Sequence, residues 1–165
     1  MTSVDATTYE LARIGEVRSE GGRFGVHVGE PYRQGLAGLG EFSHVVVTWW
    51  AHEAEPMDGS GSMIVSDTPY VAGPDEAGVF STRSPRRPNR LGLSICAIAD
   101  VDPEVGVVAV SWIDALHGTP VVDLKPYFPA SDRVRDVVMP AWCASWPSCL
   151  EESADFDWST VMAGS

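Results

Sequence analysis

Residues 78–94 read Gly-Val-Phe-Ser-Thr-Arg-Ser-Pro-Arg-Arg-Pro-Asn-Arg-Leu-Gly-Leu-Ser. Four arginines (Arg83, Arg86, Arg87 and Arg90) fall within eight residues of a chain that holds only 11 lysines and arginines. A guanidinium is planar and always charged, so it suits carboxylates, phosphates and aromatic faces. Pro85 and Pro88 fix their own φ and push Ser84 and Arg87 toward extended backbone. The stretch therefore reads as a stiff loop. Val79-Phe80 leads in from one strand, and Leu91 opens the next. A stiff loop loses little entropy when it grips a ligand. A solvated basic surface loop has the same composition, and the residues alone leave both readings open.

Other reactive side chains are sparse. The four histidines are scattered and none pairs at metal-ligand spacing, so no metal is expected. The three cysteines, Cys96, Cys143 and Cys149, are odd in number and lack Cys-x-x-Cys spacing. Reduced thiols and a cytoplasmic setting are the simple reading. Residues 2–10 carry neither a basic nor an apolar block, so no signal peptide is expected. The longest apolar run, residues 45–51, is too short to span a membrane. A formal net charge of −12 argues against a broad phosphate-binding face. It leaves room for a local basic site.

The elements that must position these residues are mostly strands. Residues 9–18 look extended, with Gly15 as a candidate bulge. The glycine-rich residues 20–25 read as a mobile loop. The glycines at 35–40 are not in G-x-G-x-x-G order and precede a strand, so a dinucleotide loop is rejected. Residues 45–50, Val-Val-Val-Thr-Trp-Trp, form a strand covered on both faces, which ends at His52-Glu53. His44 at its entry reads as a hydrogen-bonded structural histidine. Residues 54–77 read as a long loop. Residues 91–101 and 105–112 form an antiparallel hairpin around Asp102-Pro103-Glu104. Asp123 and Lys125 read as a local ion pair. Ser131 caps a short helix through Val138, with Val134, Val137 and Val138 on one face. Pro140 opens a turn that carries Trp142 and Trp146 and is expected to dock them onto a barrel formed by the strands. The class is mainly β, with helical periodicity only near the end and no doubly wound nucleotide fold.

The arginine stretch resembles the signature of the TsaA-like (TrmO-type) family, approximately G-V-F-A-T-R-S-P-x-R-P-N-P-I-G-L-S. Ser81, Arg90 and Leu91 depart from it. Ile14-Gly15-Glu16-Val17-Arg18-Ser19 is similar to the family's opening I-G-x-V-x-S, and residues 38–44 to its G-L-x-x-F-S-H. Residues 114–129 resemble D-x-x-D-G-T-P-V-V-D-I-K-P-Y-L-P, with His117 in place of the second Asp. The family's Pro-Arg-Gln near the glycine-rich stretch is absent. The likeness covers residues 9–129.

The resemblance implies a small single-domain β-barrel over residues 8–140, with short C-terminal helices. Residues 141–165 would be a tail that packs on the barrel or is partly mobile. It implies S-adenosyl-L-methionine as cofactor, held by His52, Glu53, Arg83, Arg87, Asn89, Asp114, His117, Gly118, Thr119 and Pro120. It also implies a homodimer with cofactor near the subunit interface. The longer relatives' C-terminal domain, thought to aid tRNA binding, is read as missing. The implied reaction is methylation at N6 of threonylcarbamoyl-adenosine 37 in tRNA. The acidic charge and Arg90 favour a small-molecule or peptide acceptor, and the missing Pro-Arg-Gln and His117 favour a cofactor-binding module without transfer. No general base is evident, and His52 and His117 are the candidates for that proton.

Overall fold

Valines at every second position build the sheet. The computed structural model describes residues 8–56, 65–67 and 70–162. Among them run β1 (Gly15–Glu20), β2 (Arg23–Val28), β3 (His44–Trp50), β4 (Val65–Asp67), β5 (Glu76–Gly78), β6 (Leu91–Asp102), β7 (Val107–Val110) and β8 (Pro120–Pro126). Six strands close an antiparallel barrel in the order β1-β2-β7-β6-β3-β8, while β4 and β5 pair separately. The chain divides into two compact units. One takes in the chain to Ala54 together with Arg90–Asp132, and the other Glu55–Asn89 together with Arg133–Ser165.

In the barrel unit Val17, Val26, Val45, Val47, Val108 and Val121 are fully buried, joined by Val28, Val110, Cys96, Leu36, Leu39 and Ile113. A six-stranded barrel has a narrow interior, and compact β-branched side chains fill it. Each buried valine contributes about 1.5–3 kcal/mol. Burial also pushes the Cys96 thiol up to about 12. The expected strand at 45–50 and the hairpin around 102–104 are both present. In the hairpin, Asp102 Oδ1 accepts from the amides of Glu104 (2.9 Å) and Val105 (3.1 Å).

Two glycine expectations need correction. Residues 20–25 are no mobile loop. Glu20 pairs directly with Arg23, so Gly21-Gly22 is a two-residue hairpin turn with φ of 57° and 76°. Positive φ at both central positions selects glycine. Gly15 is no bulge either, since it pairs in register with Val28 and Val121. It is glycine because a Cβ would lie 2.3 Å from the His27 carbonyl oxygen. The ladder slips instead where β3–β8 pairing skips Val122 and where β6–β7 pairing skips Ala99.

The span read as a long loop, 54–77, contains β4 and the start of β5; residues 57–64 and 68–69 lie outside the described residues. The helix expected over 131–138 does not form. α1 covers only Pro129–Asp132, and Asp136 has φ of 52°, which a right-handed helix does not admit. Val134, Val137 and Val138 are exposed, so the apolar face that should have held such a helix is not buried. In the second unit Trp142 stacks on Tyr70 (centroids 5.0 Å apart), and Trp146 meets Tyr70, Trp142 and Trp158 edge to face. α2 (Leu150–Ser153) follows, and Met162 bridges back to Tyr70. Among the described residues no helix is long and apolar enough to cross a membrane.

Trp49 lies opposite Gly92, and its indole donates to Ser94 Oγ at 3.0 Å. A Cβ on residue 92 would sit 2.3 Å from that ring. Gly92→Ala should therefore cost about 1–3 kcal/mol, read from the urea midpoint. An unchanged midpoint would mean that the indole is not held there.

Candidate functional site

Topology brings three segments together at one end of the barrel. β3 runs antiparallel to both its neighbours, so its C-terminal end meets the first residues of β6 and β8. Trp50 pairs with Leu91, and Trp49 with Val121. The corner after β3 carries His52 and Glu53, the turn before β8 carries His117–Pro120, and the start of β6 carries Arg90.

The turn before β8 is tied to β1. Val17 N donates to Thr119 O and Gly118 N donates to Val17 O, both at 2.8 Å, while Thr119 N donates to Leu116 O at 3.1 Å. Gly118 has φ of 81°, which suits glycine. The amides of Gly118 and Thr119 are thus engaged within the fold. Thr119 is 2% exposed, and a buried hydroxyl needs a partner. That partner is His52, whose Nδ1 lies 3.5 Å from Thr119 Oγ1. His52 Nε2 lies 3.7 Å from Glu53 Oε1, and Glu53 is largely exposed. His52 and Thr119 therefore meet, with Glu53 beside them on the water side.

His117 is half-exposed and faces β1. Its Nδ1 accepts from Ser19 N at 3.3 Å and stands 3.8 Å from Glu20 Oε1. It satisfies a strand-edge donor beyond the last β1–β8 pair. Asp114 is exposed, and Pro120 is half-buried at the start of β8. Nearby on β1, Glu16 holds Arg18 (3.0 Å) and Arg13. The hydrogen bond from Arg18 is the main cause that lowers its carboxyl below the usual range. Desolvation, with Arg18 adding, lowers His27 below the usual imidazole value.

In the second unit, residues 78–89 are held by their own side chains. Val79–Ser81 makes a 3-10 turn. Thr82 Oγ1 donates to Val79 O (3.0 Å) and accepts from Ser84 N (3.3 Å), and Ser84 Oγ accepts from Arg86 N (3.2 Å). Arg87 Nη2 donates to both Val79 O and Thr82 O at 3.4 Å. Its Nε and Nη1 keep donor capacity among the described residues. Arg86 pairs with Glu55 at 2.9 Å, and Arg83 and Asn89 are exposed at the surface. The prolines singled out in the sequence are only part of the stiffness. Hydroxyls two residues apart, Thr82 and Ser84, supply the rest, and their spacing is the overlooked signal.

Residues 14–133 match the family model described as the tRNA-methyltransferase O N-terminal domain. The chain belongs to this family. It is 42% identical over 101 residues to a probable S-adenosyl-L-methionine-binding protein of Halobacterium salinarum, covering 61% of this chain and 73% of that one. It is 40% identical over 105 residues to the human tRNA (adenine(37)-N6)-methyltransferase, covering 64% of this chain and 22% of the human protein. The TrmO crystal structure from Pseudomonas aeruginosa superimposes with a TM-score of 0.61 at 29% identity, over 80% of this chain and 62% of that one. The chain thus spans under two thirds of that TrmO and about a fifth of the human relative. The barrel expected from the TrmO-type resemblance is the fold observed. Among the described residues no three His, Cys, Asp or Glu side chains gather as metal ligands.

The bond from Ser19 to His117 gives a test of the turn. His117→Asp restores the residue usual in the TrmO-type motif and keeps an acceptor for Ser19 N, so amide exchange at Ser19 should stay slow. His117→Ala should speed it about tenfold, the loss expected for one hydrogen bond. Equal exchange in both variants would remove His117 from the seam.

Proposed function

We propose that this chain is an S-adenosylmethionine-dependent N-methyltransferase whose acceptor is N6 of threonylcarbamoyl-adenosine 37 in tRNA. The family match over residues 14–133 carries the reading, because it takes in both the arginine stretch and the turn before β8. Relatives named as S-adenosylmethionine-binding proteins and as tRNA (adenine(37)-N6)-methyltransferases support it. The homodimer and the cytoplasmic setting implied by the resemblance belong to the same proposal.

The side chains present fit such a cofactor as a donor set. Glu53 is an exposed carboxylate suited to a sulfonium or an ammonium, and the N–H groups of Arg87 and Arg83 suit a carboxylate. Following the family motif, we assign cofactor binding to His52, Glu53, Arg83, Arg87, Asn89, Asp114, His117, Gly118, Thr119 and Pro120. When bound, S-adenosylmethionine supplies a methyl group on a sulfonium whose departure as a thioether needs no metal and no covalent enzyme intermediate. The protein's work is then to hold the acceptor nitrogen in line and to take up its proton. We assign that proton to His52, whose Nδ1 lies 3.5 Å from Thr119 Oγ1 and whose Nε2 lies 3.7 Å from Glu53 Oε1.

A second reading, a small-molecule or peptide acceptor, is favoured by one observation. The net charge is −12, and Arg86, Arg87 and Arg90 all make bonds inside the protein. Transfer of radiolabelled methyl from S-adenosylmethionine to tRNA carrying threonylcarbamoyl-adenosine decides between the two. The tRNA reading expects label in that nucleoside and a steep loss of tRNA affinity as salt rises. Arg87→Ala should lower the yield at least tenfold. Label in small molecules alone would support the second reading, and no transfer to any acceptor would contradict both.

A further inference from the structure

Arg90 occupies the place where the family motif usually has proline, and it grips the corner after β3 at both ends. Ala51–Ala54 is a four-residue turn closed by Ala54 N donating to Ala51 O at 3.2 Å, with His52 and Glu53 at its two central positions. Arg90 O accepts from Ala51 N at 2.8 Å, which carries the β3–β6 pairing one residue past Trp50 and Leu91. From the other side Arg90 Nη1 donates to Ala54 O at 2.5 Å. The guanidinium lies 5.1 Å from the centroid of Trp50, the last residue of β3.

We infer that Arg90 is a positioning residue that sets the His52–Glu53 corner for the cofactor, which rests on the reading that this corner contacts S-adenosylmethionine. The residues that begin and end the turn are alanines, whose methyl groups cannot fix it by hydrogen bonding. One arginine on the neighbouring strand supplies a main-chain tie to the first alanine and a charge-assisted tie to the last. Stacking on Trp50 restricts the guanidinium to that geometry. Held at both ends, the turn keeps the His52 ring toward Thr119 Oγ1 and leaves the Glu53 carboxylate facing water. A proline at position 90 keeps the carbonyl that receives Ala51 N and lacks the group that reaches Ala54. This chain therefore carries one restraint more than the usual motif. Lysine keeps a donor but lacks the planar fork that stacks on the indole.

The test uses the full chain as wild type, Arg90→Ala, Arg90→Pro and Arg90→Lys. Amide hydrogen exchange reads the corner, and calorimetric titration with S-adenosylmethionine reads the site. Arg90→Ala and Arg90→Pro should speed exchange across residues 52–54 while Val45–Val47 in mid-barrel stay protected. They should also weaken cofactor binding about tenfold, with Arg90→Lys between them and wild type. Unchanged exchange at 52–54 in Arg90→Ala overturns the inference. A loosened corner with unchanged affinity overturns it as well, by removing the corner from the site. A wild type that binds no S-adenosylmethionine overturns the cofactor reading itself, and the inference falls with it.

Discussion

Closing a six-stranded barrel requires its first strand to find its last, and here that seam is short. β1 and β8 share two register pairs, Gly15 with Val121 and Glu16 with Pro120. Main-chain bonds from Ile14 to Val121 and between Val17 and residues 118–119 extend the seam just past β8's first residue. Beyond that point the edge of β1 is satisfied by a side chain, His117. Much follows from this shortness. The chain entering β8 must fold tightly against Val17, so Gly118 takes a positive φ and Thr119 goes into the interior. The Thr119 hydroxyl then needs a partner, and His52 at the end of the adjacent strand β3 is within reach. The same antiparallel order places the start of β6, and with it Arg90, beside that corner. Seam, turn and corner form one chain of consequences in the barrel unit.

The sequence carried the strands of the barrel well because their signal is local. Val45–Val47 followed by two tryptophans, and the valines of β7, announce buried strands whatever surrounds them. The glycines were harder. Gly21-Gly22 in isolation looks like a flexible stretch, yet two adjacent glycines between strands also encode a tight hairpin, and the register of Glu20 with Arg23 selects the second meaning. Gly15 serves a close approach to the His27 carbonyl on another strand, which no local pattern records. The helix read into 131–138 failed for a related reason. Its valine spacing suits a helix, but helices of that length depend on burying a face, and these valines stay exposed.

Site residues were legible by type and by motif but not by role. His117 could be picked out as a departure from the motif, whereas its bond to Ser19 depends on where the β1–β8 pairing stops. Arg90 could be counted as part of a basic cluster, while its actual partners are a carbonyl 36 residues earlier in the chain and an indole. Arg86, Arg87 and Arg90 of the cluster have partners within the protein. Arg86 neutralises Glu55, Arg87 staples its own loop, and Arg90 secures the corner. Of these three only Arg86 meets a carboxylate; Arg87 and Arg90 bond to neutral carbonyls and keep their positive charge, so part of the cluster serves internal structure without being neutralised.

The central proposal is that this chain binds S-adenosylmethionine, with the corner after β3 and the turn before β8 as its proposed contacts on the barrel unit. Calorimetric titration of the wild-type chain with S-adenosylmethionine, and then with S-adenosylhomocysteine, tests it most directly. The account predicts saturable binding of the first near micromolar, about −8 kcal/mol. The second should bind more weakly if Glu53 faces the sulfonium as proposed, since it lacks that charge and keeps only the ammonium. No heat with either ligand would contradict the account and leave these contacts as scaffolding for some other molecule.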